Sequence, residues 1–195
     1  MRLVLASASP RRYELLKKIT ENFIQIPSEF DETQVVNDSE TSNYVINIAE
    51  GKAMEVAART KNSIVIGCDT IVELDGIVIG KPKDNQEAFN VLKSLSGRKH
   101  SVYTGIYLIN TETKEAMGDF EKSDVFFSKL TDEEINWYIS TKEPLDKAGS
   151  YGIQGYGSRF IEKIEGCYFN IVGLPLNKLY SMLKLMGVNL FLGDF

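Results

Sequence analysis

The segment that most constrains the fold is residues 63–72, which is dense in isoleucine and valine and carries one charged residue, Asp69. An apolar run of this kind, without polar alternation, is typical of a strand that is covered on both faces, as in layered α/β proteins. A carboxylate in such a strand costs several kcal/mol unless a partner or a metal ion compensates. Asp69 is therefore a candidate functional residue.

Strand and helix patterns alternate in the first half of the chain, and hairpin patterns dominate the second half. Ser9 offers an N-cap and Pro10 suits the first position of a helix, so a strand at residues 2–6 should lead into a helix. The predicted elements are strands 2–6, 23–26 and 63–72, helices 10–19, 42–59, 84–94, 131–140 and 175–186, a return strand 77–80 after Asp75-Gly76, and the hairpins 100–110/115–127 and 160–164/167–172. We expect one domain over residues 1–195, of the α/β class with α+β character, in which a twisted mixed sheet with flanking helices forms two lobes around a cleft.

The composition narrows the classes of protein that this chain can belong to. With 195 residues, 43% hydrophobic and 25% charged, it should fold around a substantial core. Its 22 basic and 27 acidic residues give a net charge of −5, which argues against a nucleic-acid partner. The apolar runs are too short to cross a membrane, and the N-terminus lacks the pattern of a signal peptide, so we expect a cytoplasmic protein.

Cysteine and histidine are too sparse for several kinds of site. Cys68 and Cys167 are far apart, neither belongs to a C-x-x-C pair, and His100 is the single histidine. Zinc ribbons, dithiol redox motifs and histidine metal clusters are therefore excluded, and the G-x-S-x-G and H-E-x-x-H motifs do not occur. We predict two buried free thiols, a structural histidine, and chemistry that depends on carboxylates, lysines and arginines.

Residues 7–12, Ser-Ala-Ser-Pro-Arg-Arg, place two arginines in the first turn of the predicted helix. Positive charge there opposes the helix dipole, whereas a bound anion would resolve the conflict. Arginine also recognises phosphate in a bidentate way. This segment is either a phosphate cradle or a serine-capped helix with solvated arginines, and its residues alone leave both interpretations open.

Lysines and acidic residues supply further candidates for phosphate and metal binding. Residues 76–82, Gly-Ile-Val-Ile-Gly-Lys-Pro, do not form a P-loop, because the spacing between the glycines is short and proline stands where Ser or Thr binds magnesium. Lys81 and Lys52 remain candidates for phosphate contact, with solvated surface lysines as the alternative. The acidic segment 29–32 either supplies a second carboxylate for Mg²⁺ or Mn²⁺ or is a solvated loop.

Residues 145–157 combine four glycines with tyrosines, charged residues and Gln154. Glycine allows a backbone to approach a ligand closely, and an amide side chain such as that of Gln154 suits the edge of a base. A flexible connector is the alternative, but the tyrosines and Ile153 are poor choices for one. We predict an ordered binding loop.

Six segments, in this order along nearly the whole chain, together resemble the Maf family. They are Ser7-x-Ser9-Pro10-Arg11-Arg12, Gly67-Cys68-Asp69-Thr70, Gly80-Lys81-Pro82, Gly97-x-x-His100-x-Val102-x-Thr104, Glu143-Pro144-Leu145-Asp146-Lys147-Ala148-Gly149 and Gly173-Leu174-Pro175. The resemblance implies a nucleoside triphosphate pyrophosphatase that splits the α–β phosphoanhydride into nucleoside monophosphate and pyrophosphate. It also implies a fold similar to that of the inosine triphosphate pyrophosphatases.

The resemblance assigns roles to individual residues. It implies Asp69 as the catalytic carboxylate and, with Glu32, as a ligand of Mg²⁺ or Mn²⁺; the match over residues 29–40 is loose, so Asp31 is the alternative to Glu32. The implied contacts to the substrate phosphates are Ser7, Arg11, Arg12, Lys52 and Lys81. These roles coincide with the candidates that the residues themselves suggest.

Substrate and partner are implied in the same way. Arg11, Thr70 and Gln154 match the trio associated with the subfamily that acts on dTTP and UTP, so pyrimidine triphosphates are the expected substrates. A homodimer is also implied. The rival hypothesis is a non-enzymatic nucleotide-binding regulator of septum formation and cell division, and the retained catalytic set favours the enzyme.

Overall fold

A computed structural model of the chain describes residues 1–37 and 40–190. Its strands are β1 (Arg2–Ala6), β2 (Phe23–Gln25), β3 (Ser63–Leu74), β4 (Ile77–Ile79), β5 (Lys99–Asn110), β6 (Ala116–Phe127) and β7 (Ile161–Glu165). Its α-helices are α1 (Pro10–Leu16), α2 (Thr41–Ala58), α3 (Asn85–Leu95), α4 (Asp132–Ser140), α5 (Tyr168–Val172) and α6 (Leu176–Leu185). Within the described ranges, no helix has both the length and the apolar character needed to cross a membrane.

The strands form one mixed sheet in the order β2-β1-β3-β5-β6-β7, with β4 paired to β3. The chain divides into two compact units, and β3, β5 and β6 each contribute residues to both. Of the described residues, unit 1 comprises 1–37, 40–69, 104–121 and 173–190, and unit 2 comprises 70–103 and 122–172. The predicted α/β class with a mixed sheet and two lobes is confirmed, whereas the single domain over residues 1–195 stays a prediction.

In unit 1, the strands β1, β2 and β3 run parallel, and α2 packs on them. The apolar side of α2 shares a core with β1 and β3 that includes Ala53 and Val65. A Cβ atom at Gly67 of β3 would lie 2.1 Å from the carbonyl oxygen of Ala49 and 2.8 Å from the Cβ of Ala53. Backbone therefore touches backbone at Gly67, two residues before Asp69.

In unit 2, β4 and β7 pair antiparallel to β3 and β6, and α3 and α4 cover a core rich in leucine and aromatic rings. A capping box opens α4: the N–H of Glu134 donates to Thr131 Oγ1 at 3.3 Å, and the N–H of Thr131 donates to Glu134 Oε2 at 2.8 Å. At α3, Asp84 caps the N–H of Glu87 at 2.8 Å, but the Glu87 carboxylate bonds the N–H of Lys83 instead of the cap residue. Local capping signals thus set both helix starts.

The hairpin predicted from residues 160–164 and 167–172 is wrong in its second half. β7 pairs with β6, but Tyr168–Val172 forms α5 after Gly166, which has φ of +118°. The Asn170 amide donates to the carbonyl oxygen of Val102 at 3.0 Å and to Ser123 Oγ at 2.9 Å. A short apolar run fits a helix or a strand equally well, and here these distant hydrogen bonds accompany the helix.

The two thiols and the histidine differ in their surroundings. Cys68 is buried as predicted, whereas Cys167 is only partly buried, so that half of the prediction is wrong. The backbone of Cys167, rather than its thiol, is engaged, because its N–H and C=O both pair with Ser123 Oγ. His100 is buried, and its Nε2 lies 2.9 Å from Tyr151 Oη, which agrees with a structural role.

Candidate active site

Three charged side chains of unit 1 meet at one ammonium group. Lys52 Nζ lies 2.7 Å from Asp69 Oδ1 and 2.7 Å from Glu32 Oε1. The side chains of Lys52 and Asp69 are only 13% and 11% exposed, whereas that of Glu32 is 53% exposed. Lys52 thus provides the partner that a carboxylate in an apolar strand requires. We call Glu32, Lys52 and Asp69 the charged cluster; its two carboxylates outnumber its one ammonium group.

The position of Glu32 depends on a close contact between its segment and α2. The ring of Phe30 lies on Gly51, where a Cβ atom would come within 2.3 Å of the ring carbon Cζ. Gly51 directly precedes Lys52, so the absence of a side chain there lets the acidic segment lie beside the lysine. Phe30 thereby brings Glu32 within reach of the ammonium group.

Further along α2, hydrogen bonds hold residues 27–29 to the helix. Glu55 Oε2 accepts hydrogen bonds from Ser28 Oγ at 2.9 Å and from the N–H of Glu29 at 3.0 Å. Arg59 donates from Nη2 to the carbonyl oxygen of Pro27 and from Nε to Glu55 Oε1, each at 2.7 Å. The Arg59 hydrogen bond holds the pKa of the Glu55 carboxyl below its usual range, even though burial opposes this, and the Glu29 and Ser28 hydrogen bonds lower it further. No local pattern in the sequence predicts these hydrogen bonds.

Asp31 and Glu32 are adjacent in sequence, but their carboxylates have different partners. Asp31 Oδ1 accepts hydrogen bonds from Thr33 Oγ1 at 2.7 Å and from the N–H of Thr33 at 3.0 Å, which caps the short 3₁₀ helix Glu32–Gln34. These hydrogen bonds from Thr33 lower the pKa of the Asp31 carboxyl. The structure therefore places Glu32 in the charged cluster and Asp31 in a turn.

The charged cluster affects the pKa values of two neighbouring side chains, those of Tyr44 and Cys68. Burial raises the pKa of Tyr44, and the negative charges of Asp69 and Glu32 raise it further. Burial raises the pKa of the Cys68 thiol to about 11, although the positive charges of Arg12 and Lys52 oppose this. Cys68 is therefore a protonated packing residue rather than a nucleophile. Sequence reasoning missed Tyr44, since nothing local distinguishes it from an ordinary helix tyrosine.

Arg12 is oriented by residues from both ends of the chain. Its Nε donates to the carbonyl oxygen of Gly173 at 2.9 Å, and its Nη1 donates to Ser7 Oγ at 3.2 Å. The N-cap and the proline predicted for α1 are confirmed, because Ser9 Oγ accepts from the N–H of Arg12 at 3.4 Å and Pro10 opens the helix. Gly173 has φ of +121°, a conformation that favours glycine, so the motif at residues 173–175 gains a positioning role.

The other predicted site residues lie on separate elements. Arg11 is half-buried in the first turn of α1 in unit 1. In unit 2, Thr70 is half-buried on β3, Lys81 is exposed after β4, and Gln154 is exposed in the glycine-rich loop. The roles of these four residues toward a substrate stay predictions.

A single carboxylate organises the loop that carries Gln154. Glu143 Oε1 accepts hydrogen bonds from Tyr138 Oη at 2.8 Å and from the N–H of Gly157 at 3.1 Å, and its Oε2 accepts from the N–H of Tyr156 at 2.8 Å. Burial opposes ionisation of Glu143, but these donors outweigh it and keep its pKa below the usual range. The negative charge of Glu143 therefore organises the predicted loop.

Two glycines of this loop lie close to side chains of the protein itself. A Cβ atom at Gly155 would lie 2.2 Å from Glu143 Oε2, and one at Gly157 would lie 2.6 Å from Tyr138 Oη. At Gly155 and Gly157 the backbone thus lies close to Glu143 and Tyr138, and its approach to a ligand stays a prediction. This part of the chain also contains the 3₁₀ helices Glu143–Asp146, Ala148–Ser150 and Tyr156–Phe160.

Asp69 and Glu32 offer carboxylate oxygens of the kind that a divalent cation binds. In the described part of the chain, no group of three or more His, Cys, Asp or Glu side chains is arranged to hold a metal ion. Mg²⁺ in nucleotide enzymes is typically held by one or two carboxylates, with substrate phosphates and water completing its shell. Two carboxylates that converge on one cationic point, the Lys52 ammonium group, fit that mode of binding.

Comparisons with known proteins place this geometry in context. The sequence profile described as "Maf-like protein" matches residues 2–186. A dTTP/UTP pyrophosphatase of Clostridium tetani (strain Massachusetts / E88) is 54% identical, covering 97% of this chain and 100% of that protein. A dTTP/UTP pyrophosphatase of Clostridium novyi (strain NT) is likewise 54% identical over 97% of this chain and 100% of that protein. Among solved structures, a HAM1 protein from Coxiella burnetii aligns with 95% of this chain and 99% of its own, at 16% identity and a TM-score of 0.49.

Proposed function

This chain belongs to the Maf family, and from that membership we propose that it hydrolyses dTTP and UTP to the nucleoside monophosphate and pyrophosphate. The names of the Clostridium relatives support the substrates, because the identity extends over nearly the whole of each chain. The structural observation that carries the proposal is the charged cluster, in which a buried carboxylate is held by an ammonium group beside a second carboxylate. Such a set suits acid–base work at a phosphoanhydride.

Asp69 acts as the general base in this proposal. Its carboxylate accepts a proton from the attacking water, and before substrate and cation bind, the hydrogen bond from Lys52 at 2.7 Å holds the side chain in place. Since β3 and α2 are in backbone contact at Gly67, both side chains are held by regular elements rather than by loops. This rigidity keeps the base positioned through the reaction.

Basic side chains stabilise the charge that develops on the phosphate oxygens. Arg12, whose guanidinium is oriented by Gly173 and Ser7, is assigned to bind the triphosphate. We assign further contacts to Arg11, Lys52 and Lys81. They stabilise the transition state and the departing pyrophosphate, and no covalent enzyme intermediate is required.

Asp69 and Glu32 are the residues that would hold Mg²⁺ or Mn²⁺. The chemistry that the cation supplies when bound is neutralisation of triphosphate charge and a lower pKa for the attacking water. Lys52 would then shift from bridging the two carboxylates toward the substrate phosphates, because all of these partners compete for one ammonium group.

Base selection is assigned to Gln154, with Thr70 and Arg11. An amide side chain both donates and accepts, so it complements a uracil or thymine edge and leaves polar groups unpaired against a wrong base. A homodimer and a cytoplasmic location are further proposals from the family, and light scattering after size-exclusion chromatography tests the dimer.

The proposal is tested by incubating the purified protein with canonical and modified nucleoside triphosphates plus Mg²⁺ or Mn²⁺ and separating the products. We expect monophosphate and pyrophosphate, formed fastest from dTTP and UTP. Formation of diphosphate and phosphate would refute the assignment of the broken bond. Binding of nucleotides without any turnover would favour the non-enzymatic regulator instead.

A further inference from the structure

The exposed tip of the glycine-rich loop is fastened on both sides to one side chain. We define the tip as residues 153–155, with Gln154 at its centre. Before the tip, the N–H of Gly152 donates to Tyr138 Oη at 3.0 Å, and that hydroxyl donates to Glu143 Oε1 at 2.8 Å. After the tip, Tyr156 N–H donates to Glu143 Oε2 at 2.8 Å. Both ends of the tip therefore converge on Glu143.

We propose that Glu143 is a positioning residue for base selection, because it fixes the backbone on either side of Gln154 while the Gln154 side chain stays exposed. This inference rests on the proposed function, since it assigns to Glu143 the accuracy with which Gln154 meets a base. It extends that function by naming a residue that holds the specificity determinant rather than touching the substrate.

A carboxylate is required at position 143 because its oxygens only accept hydrogen bonds. Three donors point at Glu143: the Tyr138 hydroxyl and the N–H groups of Tyr156 and Gly157. In Glu143→Gln, an NH₂ group replaces one carboxylate oxygen and faces a hydrogen-bond donor. One of the hydrogen bonds to residue 143 is therefore lost, while the side chain keeps its size. The missing Cβ at Gly155, which would lie 2.2 Å from Glu143 Oε2, shows how little room the tip has.

The backbone of Glu143 is itself held in place. Its N–H donates to Thr141 Oγ1 at 3.2 Å, and its carbonyl oxygen accepts from Lys147 Nζ at 2.8 Å. The carboxylate therefore has a fixed origin from which it positions the tip. Glu143 and Lys147, both in the segment at residues 143–149, therefore have a structural role: the lysine holds the backbone of the glutamate.

A stack of exposed side chains supports the second end of the tip. The rings of Trp137 and Tyr156 pack edge to face with their centroids 5.6 Å apart. The Arg159 guanidinium lies 4.3 Å from the Trp137 ring centroid and 5.7 Å from that of Tyr156. Tyr156 is thus held by its backbone on Glu143 and by its ring on α4, which leaves residues 153–155 as the segment that projects.

The test compares wild type, Glu143→Gln and a matched control, Glu133→Gln, an exposed carboxylate in α4 that has the same change of charge. Two quantities are measured: amide hydrogen exchange at residues 152–157 without substrate, and the ratio of kcat/KM for UTP over GTP. We expect Glu143→Gln to speed exchange at these residues and to lower the ratio about tenfold, mainly through KM for UTP, with kcat nearly retained. Glu133→Gln should match wild type in both measurements.

Tyr138→Phe keeps the inference testable if Glu143→Gln does not fold, because phenylalanine fills the same buried space and removes only the hydroxyl that joins Gly152 to Glu143. It should raise exchange at Gly152 and lower the UTP-over-GTP ratio about threefold. Faster exchange with an unchanged ratio, or unchanged exchange, would overturn the inference. Failure of wild type to hydrolyse any triphosphate would refute the proposed function, which is a distinguishable outcome.

Discussion

The charged cluster of unit 1 and the Gln154 loop of unit 2 are positioned by opposite means. Asp69 and Lys52 project from a strand and a helix whose backbones touch at Gly67, so core packing sets their geometry. Gln154 lies in irregular backbone whose position depends on hydrogen bonds to Glu143. The residues proposed for the chemical step and those proposed for the choice of base therefore have separate structural supports, and we expect substitutions to alter each without the other.

The largest effect should come from Asp69→Asn, which removes the charge of the proposed base and preserves the shape of the side chain. We expect kcat to fall by about 10³-fold or more, equivalent to about 4 kcal/mol, with the fold retained because Lys52 still has Glu32 as a partner. Steady-state kinetics with UTP measure the effect. The control is Asp75→Asn in the β3–β4 turn, and near-normal turnover in Asp69→Asn would remove Asp69 from the mechanism.

The framework beneath the loop should weaken in acid because of His100. Burial lowers the pKa of His100 to about 4 in the folded protein, against about 6.5 when unfolded. Between these values the unfolded chain binds a proton that the folded protein does not, so stability is full above pH 6.5 and declines toward pH 4, by up to about 3 kcal/mol. Denaturant titrations across this range should show the loss in wild type, and His100→Gln should show a flatter profile. Equal profiles would contradict the assignment.

The packing that supports the charged cluster is tested by Gly67→Ala. A methyl group there meets the Ala49 carbonyl oxygen and the Ala53 side chain, so β3 and α2 must separate. We expect a loss of about 2 kcal/mol in the free energy of unfolding, measured by chemical denaturation. Gly80→Ala is the matched control, because a Cβ atom at Gly80 meets nothing within 4 Å. If both variants lose the same stability, close packing at Gly67 is not the support.

A smaller effect separates the two candidate acidic residues. Glu32→Gln should lower kcat about tenfold, because it removes one of the two carboxylates on Lys52. Asp31→Asn should stay close to wild type, since Asp31 serves as the cap of a turn. Steady-state kinetics with UTP in both variants show which residue acts beside Asp69. A larger loss of kcat in Asp31→Asn than in Glu32→Gln would assign that role to Asp31.

The sequence predicts the parts of this protein that depend on local patterns. Asp69 is recognisable as a charge within an apolar strand, and the start of α4 is recognisable because its capping box, from Thr131 to Glu134, is encoded within four residues. The helix at Tyr168–Val172 escaped prediction because its run is too short for a periodicity. The roles of Glu143 and Gly173 were not predicted either. Each depends on hydrogen bonds between residues that are distant in sequence, and no local sequence pattern indicates such contacts.

The central claim, that the charged cluster performs the reaction and the loop selects the base, is tested most directly by one comparison. The kcat/KM values for UTP and GTP are measured in Glu32→Gln and in Gln154→Glu. The account predicts that Glu32→Gln slows both nucleotides alike and keeps their ratio, whereas Gln154→Glu lowers the ratio at least about tenfold. An unchanged ratio in Gln154→Glu, or an equal loss of the ratio in both variants, would contradict it.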